Sequence, residues 1–243
     1  RQVTFNSSAW KYQPIWSPDS RWLLFSDRTL KLRLVDAATG KITDVDHATS
    51  SELRSYNFSP DSRWITYQKE GSNEKAAIWV YDIPSGKRQQ VTDGTFADDN
   101  PVFSLDGNYI FFASNRDFNL SFSSFDFDYI YYKATRLYAI SLTQKSPKIF
   151  KDKNDTEPVK AEKTTPAPSS SAKEKKSKTG AADTTSAKKE VKVEIDFNGI
   201  NDRITALPGE AGEYRIVGAA VGGLIFISNS KLMKYNIADE KNE

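Results

Sequence analysis

A seven-residue motif returns three times along the chain at a spacing that few folds share. It reads WSPDSRW at residues 16–22, FSPDSRW at residues 58–64 and, more weakly, FSLDGNY at residues 103–109. The serines at its second position are 42 and 45 residues apart. Repeats of about 40–45 residues are typical of β-propellers, in which each repeat forms one blade of four antiparallel strands. The motif therefore predicts an all-β chain.

The residues of the motif predict a tight turn between the first two strands of each blade. Proline fixes φ near −65°, which suits the second position of a turn, and the Asp side chain can accept hydrogen bonds from the amides that follow it. Apolar, aromatic-rich stretches precede and follow the turn, and such residues favour strands. Gly40 and Gly86 lie in the turns that follow the third strands, where glycine is free to take a positive φ.

Continued along the chain, this pattern predicts about four blades, at residues 12–46, 54–95, 97–208 and 212–237. The third blade then contains two insertions, an aromatic one at residues 115–135 and a longer one at residues 143–192. Its fourth strand is either residues 193–196 or residues 203–205. The last blade stops after a third strand, and Gln2-Val3-Thr4 resembles the final strand of a blade.

Two explanations of these ends stay open. Gln2-Val3-Thr4 could complete the last blade and close a four-bladed ring. Alternatively the chain is part of a larger ring, and we favour this explanation because no closing element follows the last predicted strand.

The stretch at residues 151–190 differs in composition from the rest. It has no aromatic residue and one branched aliphatic residue, so it is predicted to be a disordered insertion. Its ten Lys against seven Asp and Glu give it a net charge of +3, which leaves the remaining chain at −1 of the total +2. A basic interaction arm is the alternative, and outside this stretch no basic excess points to nucleic acid.

Composition excludes several kinds of site. The absence of Cys excludes disulfides and thiolate metal sites, and the single His47 excludes any site that needs two imidazoles. The sequence contains no Walker loop, HExxH or GxSxG motif. No apolar run is long enough to span a membrane and no export signal is visible. We therefore expect no cofactor, no metal and no membrane span.

Longer stretches carry a family resemblance. SNRDFNLSFSSFDFDYIYYKATRLYAISL at residues 114–142 and VEIDFNGINDRITALPGEAGEY at residues 193–214 flank the Lys-rich insertion. With the SPDSRW repeats, this order resembles the propeller that precedes the PDZ-like and catalytic regions of bacterial tricorn-type serine peptidases. The repeats alone are also similar to TolB-type propellers. Leu105 in place of Pro and Gly107 in place of Ser depart from the motif.

The tricorn-type resemblance implies a non-catalytic propeller in a larger serine peptidase, where it contributes substrate access and assembly contacts. Its partners would be peptides or unfolded proteins, the downstream PDZ-like and peptidase domains and, in an oligomer, further copies. No catalytic residue can be carried over, so whether the chain is an enzyme depends on its parent protein. The family suggests a cytoplasmic location, and a signal peptide on the parent chain would indicate the periplasm. The alternative is a TolB-like protein-binding propeller without enzymatic activity.

Three groups of residues have the chemistry of candidate functional sites. Asp98, Asp99 and Asn100 precede a first strand, where they could contact peptide amines in the channel or bind calcium, or simply form an Asx turn. Phe122, Phe125 and Phe127 in the aromatic insertion could form a lid or a domain interface, or pack on their own blade. His47 follows Asp44 and Asp46, which could make a metal ligand or general base, although a solvated turn explains it as well.

Overall fold

The strands in the described part of the chain form four separate antiparallel sheets of four strands and one two-stranded hairpin. The structure, a computed structural model, describes residues 2, 5, 8–117, 120–125, 127–131, 133–150 and 191–243. The predicted disordered insertion at 151–190 lies outside these residues, as does the predicted strand at residues 2–4 apart from Gln2. The all-β propeller prediction is confirmed.

Each sheet runs from its first to its last strand in spatial order. The first sheet contains β1 (Lys11–Trp16), β2 (Trp22–Asp27), β3 (Lys31–Asp36) and β4 (Ile42–His47), and the second contains β5 (Tyr56–Phe58), β6 (Trp64–Glu70), β7 (Ala76–Asp82) and β8 (Lys87–Gln90). The third contains β9 (Asp98–Phe103), β10 (Tyr109–Ser114), β13 (Arg136–Ser141) and β14 (Ile204–Ala206). The fourth contains β15 (Tyr214–Ala220), β16 (Gly223–Ser228), β17 (Lys231–Asn236) and β18 (Lys241–Asn242), and the hairpin is β11 (Leu120–Ser123) with β12 (Asp128–Tyr131).

Two strand predictions need correction or a choice. The last sheet has a fourth strand, β18, which pairs with β17 through Tyr235 and Asn236, so the expectation that this blade stops after three strands is wrong. Its polar sequence gave no strand signal. Of the two alternatives in the third blade, Ile204–Ala206 pairs with β13, whereas residues 193–196 join no sheet.

The repeated motif forms the same turn in all three repeats. In the second, the Ser59 hydroxyl donates to Asp61 Oδ1 at 2.5 Å and accepts from the Trp64 amide at 2.8 Å. The fifth residue of the motif is left-handed each time, with φ of 60° at Ser20 and Ser62 and 73° at Gly107. Local side-chain hydrogen bonds therefore define each hairpin turn without the help of packing between blades.

The hydrophobic cores lie between successive sheets. Leu24, Leu32 and Leu34 of the first sheet pack on Phe58, Ile65 and Tyr67 of the second. The second meets the third through Ile78, Val80, Phe103 and Phe112, and the third meets the fourth through Phe111, Leu137, Leu224 and Phe226. Every residue of β10 is buried, because this strand faces a neighbouring sheet on both sides.

The first strand of each sheet is its inner one. β9 lies against β5 and β15, the first strands of the two neighbouring sheets. In β1 and β9 the register shifts at a bulge. Each bulge contains a left-handed residue followed by proline, Gln13-Pro14 with φ of 46° at Gln13 and Asn100-Pro101 with φ of 54° at Asn100. Bulges of this kind redirect side chains at the inner edge of a sheet.

Candidate functional site

The three residues predicted as channel contacts lie together at the start of the inner strand β9, but in different surroundings. Asp98 is fully buried. It accepts hydrogen bonds from the Ser114 hydroxyl at 2.5 Å and from Arg116 Nη2 at 2.9 Å. Its two oxygens are therefore engaged inside the blade.

Arg116 is a residue that the sequence analysis missed. Its guanidinium lies 5.1 Å from the ring centre of Phe96, 5.5 Å from that of Phe112 and 5.6 Å from that of Tyr138. A guanidinium in such aromatic surroundings gains cation–π attraction in addition to its ion pair with Asp98. Only its place at the start of the aromatic insertion indicated this role.

Asp99 and Asn100 are half-buried at the same end of β9. Burial raises the pKa of the Asp99 carboxyl, and the neighbouring charge of Asp98 raises that pKa further. The backbone N–H of Asn100 donates to Gln68 Oε1 of the second blade at 3.0 Å. Asp99 is thus the member of the trio whose carboxylate is poorly stabilised as an anion.

At the other end of the inner strands, a groove of about 470 Å³ crosses all four blades. Its lining is mostly apolar and includes Trp16, Phe58, Leu105 and Val217. Trp16 is 58% exposed and Val217 is 54% exposed. The groove therefore exposes apolar side chains next to polar groups at the turn side of the blades.

The aromatic insertion forms the β11–β12 hairpin between the second and third strands of the third blade. Phe122 is 55% exposed, Phe125 90% and Phe127 80%. These three side chains are largely open to solvent in this chain.

The residues around His47 are held by structural ion pairs. Asp46 is buried and accepts hydrogen bonds from the Tyr67 hydroxyl at 2.8 Å, Lys69 Nζ at 3.0 Å and Arg88 Nη1 at 2.6 Å, all in the second blade. Burial and the Asp46 charge raise the pKa of the Tyr67 hydroxyl. Asp44 pairs with Lys31 at 2.6 Å. His47 itself is exposed on the outer strand β4.

A second missed feature is the segment that follows the long insertion. The Val193 amide donates to Asp61 Oδ2 at 2.7 Å, and Trp64 Nε1 donates to the Val193 carbonyl at 3.2 Å. Val193 is fully buried between the second and third blades. A Cβ placed on Gly107 would lie 2.9 Å from methyl carbons of both Val191 and Val193. Glycine at this motif position was the sequence signal for this close approach.

Metal and membrane signals are not found within the described ranges. No group of three or more potential carboxylate or imidazole ligands comes together there. That part of the chain likewise has no helix of the length and apolarity needed to cross a bilayer.

Comparison with known proteins decides the family. The family model described as the tricorn protease second beta propeller domain matches residues 1–243. The chain belongs to this family. The tricorn-type resemblance read from the sequence is therefore confirmed.

Individual relatives agree with the family. Tricorn protease homolog 1 of Streptomyces coelicolor is 24% identical over 93% of this chain. A crystal structure of the tricorn protease shares the fold with a TM-score of 0.68 at 19% identity over 96% of this chain. The chain also has a more distant likeness to TolB from Acinetobacter baumannii. That match has 16% sequence identity and a TM-score of 0.45, and it covers 59% of this chain and 32% of the TolB chain.

This chain is much shorter than these tricorn relatives. It covers 22% of the Streptomyces protein and 22% of the chain in the tricorn crystal structure.

Proposed function

We propose that the chain is the non-catalytic propeller portion of a tricorn-like serine peptidase, where it provides substrate access and assembly contacts. The observation that carries this proposal is the match of all 243 residues to a propeller domain of that family. Peptides or unfolded proteins are the substrates of the parent enzyme. The PDZ-like and peptidase regions, together with further copies in an oligomer, are the partners in assembly.

The surroundings of His47 support a non-catalytic role. A serine nucleophile needs an imidazole base that a carboxylate orients. His47 is the one histidine of the sequence. The adjacent Asp46 carboxylate is occupied by Tyr67, Lys69 and Arg88 of the next blade. Asp46 therefore serves the contact between blades.

The inner strands support a role in substrate access. Asp99 stands at one end of β9, and the apolar groove with Trp16 and Val217 lies at the other. An unfolded peptide offers both amide donors and apolar side chains, which suit these two ends. We propose Asp99 and Asn100 as low-affinity contacts for a passing peptide, with Asp98 holding the strand through Arg116.

The exposed hairpin supports a role in assembly. Phe122, Phe125 and Phe127 present more apolar surface than a soluble loop requires, and aromatic side chains are frequent anchors of interfaces. We propose that they contact another domain of the parent enzyme.

Both roles can be tested with variants of the longer protein that contains this chain. Val217→Trp should narrow the groove and lower kcat/KM for long peptides by about tenfold, equivalent to ~1.4 kcal/mol in the barrier, with short peptides unaffected. Val221→Trp is the matched control, because Val221 is 83% exposed on the same blade and does not line the groove.

The double variant Phe122→Ser with Phe125→Ser should instead shift the sedimentation of the longer protein toward smaller assemblies.

An equal effect of Val217→Trp on long and short peptides would contradict the access role. Unchanged sedimentation of the double Phe variant would contradict the assembly role, and its unfolding would show that the aromatic residues belong to the core.

A further inference from the structure

The second repeat uses two side chains of its turn to hold one residue of an extended chain segment. Asp61 Oδ2 accepts the Val193 amide at 2.7 Å and Trp64 Nε1 donates to the Val193 carbonyl at 3.2 Å. The third repeat holds a main-chain carbonyl in a related way, since the Tyr109 hydroxyl donates to Pro147 O at 2.5 Å. The aromatic residue that ends the motif is thus a binding position for main-chain carbonyls.

The first repeat contains the same pair, Asp19 and Trp22, in the same turn. The Ser17 hydroxyl donates to Asp19 Oδ1 at 2.5 Å, the same distance as between Ser59 and Asp61. The Trp22 amide donates to the Ser17 hydroxyl at 2.9 Å.

An arginine guanidinium also lies over each of the two tryptophan rings. Arg21 lies 4.8 Å from the ring centre of Trp22, and Arg63 lies 5.1 Å from that of Trp64. Two repeats therefore present an equivalent carboxylate and indole.

The two pairs differ in what covers them. Trp64 is 8% exposed beneath the Val193 segment, whereas Trp22 is half-buried and Asp19 is exposed. Within the described residues, no acceptor meets the indole N–H of Trp22. The Trp22 indole is therefore open to a partner, while the exposed Asp19 carboxylate has the Ser62 hydroxyl of the next blade as a hydrogen-bonding neighbour.

Ser62 sets which side chains such a partner can carry. Ser62 occupies the position that Gly107 holds in the next repeat, and its hydroxyl accepts the Asp19 amide at 3.0 Å. A Cβ at Gly107 would meet γ-methyl carbons of Val191 and Val193 at 2.9 Å. By the same geometry, valines would collide with Ser62, while alanine or glycine would fit.

We propose that Asp19 and Trp22 bind an extended segment of a partner polypeptide that carries small residues at the two positions facing Ser62. Asp19 accepts a main-chain N–H of the segment, and Trp22 donates to the carbonyl of the same residue. The collision with Ser62 excludes residues 191–197 of a second copy as the occupant. Main-chain hydrogen bonds are a common source of affinity for extended peptides, and side-chain pockets supply the specificity.

The test uses two capped peptides and the 243-residue chain. VKVEIDF copies residues 191–197, and AKAEIDF replaces both valines by alanine. The indole N–H signals of the five tryptophans are followed by nuclear magnetic resonance, with Trp22→Phe assigning that of Trp22. AKAEIDF should shift the Trp22 signal and bind about tenfold more tightly than VKVEIDF, the factor that one good hydrogen bond or one relieved collision supplies.

Ser62→Gly is a second variant that tests the proposal even if Trp22→Phe does not fold, because it removes the side chain that would collide with valines. Glycine suits the positive φ at this position, so the turn should persist. VKVEIDF should bind this variant about tenfold more tightly than it binds the original chain. Binding of AKAEIDF that survives Trp22→Phe, or no gain in affinity from Ser62→Gly, would overturn the proposal. A shift confined to the Trp64 signal would do so too, because the peptide would then only be displacing the chain's own segment.

Discussion

Replacing Asp46 by Ala is expected to lower the free energy of unfolding by about 3 kcal/mol, the low end of what removing one partner from a buried ion pair costs. The reason is the set of groups left behind. Lys69 Nζ, Arg88 Nη1 and the Tyr67 hydroxyl all point at this one carboxylate, whose side chain is 2% exposed. Arg88 is 52% exposed and can turn to water, which holds the loss near the low end.

Asp44→Ala is the matched control for this change. Asp44 lies two residues away on the same strand and pairs with Lys31 and Arg33, but its side chain is 48% exposed, and Arg33 keeps its pairing with Asp27. Its loss should cost less than about 1 kcal/mol. Urea unfolding of both variants measures the difference, and equal midpoints would show that Asp46 does not join the first two blades.

Replacing Gly107 by Ala is expected to destabilise the chain by about 2–4 kcal/mol. About 1 kcal/mol of this comes from a side chain in the left-handed region, and overpacking against Val191 and Val193 adds ~1–3 kcal/mol. The segment at residues 191–193, which packs between the second and third blades, should loosen with it.

Gly222→Ala separates the two causes. Gly222 has the same φ of 73°, and the nearest atom to an added Cβ is Asn236 Oδ1 at 3.9 Å. This variant should lose only the backbone part, about 1 kcal/mol. If thermal unfolding shows both variants losing the same stability, the packing of residues 191–193 on the Gly107 turn contributes nothing.

The strands next to the repeats could be predicted because local chemistry decides them. Ser17, Ser59 and Ser104 each organise their own turn through contacts within five residues, so the motif reports its structure without tertiary information. The short strand β18 could not be predicted in this way. Lys241 and Asn242 pair with Asn236 and Tyr235 only because β17 offers an open edge.

The candidate site shows the same division between local and long-range causes. The position of Asp98, Asp99 and Asn100 at the start of an inner strand follows from the repeat. The pairing of Asp98 with Arg116 spans 18 residues, and that of Asp61 with Val193 spans 132. Contacts at such separations leave no periodic trace in the sequence. Only the glycine at position 107 marked one of them.

Peptide hydrolysis by two purified proteins tests the central claim most directly. The 243-residue chain and the longer protein that contains it would be compared on the same unfolded and short peptide substrates. We expect hydrolysis by the longer protein and none by the 243-residue chain. The sequence has no GxSxG motif, and its one histidine, His47, is exposed on the outer strand β4. Hydrolysis by the 243-residue chain that disappears in His47→Ala would contradict the account.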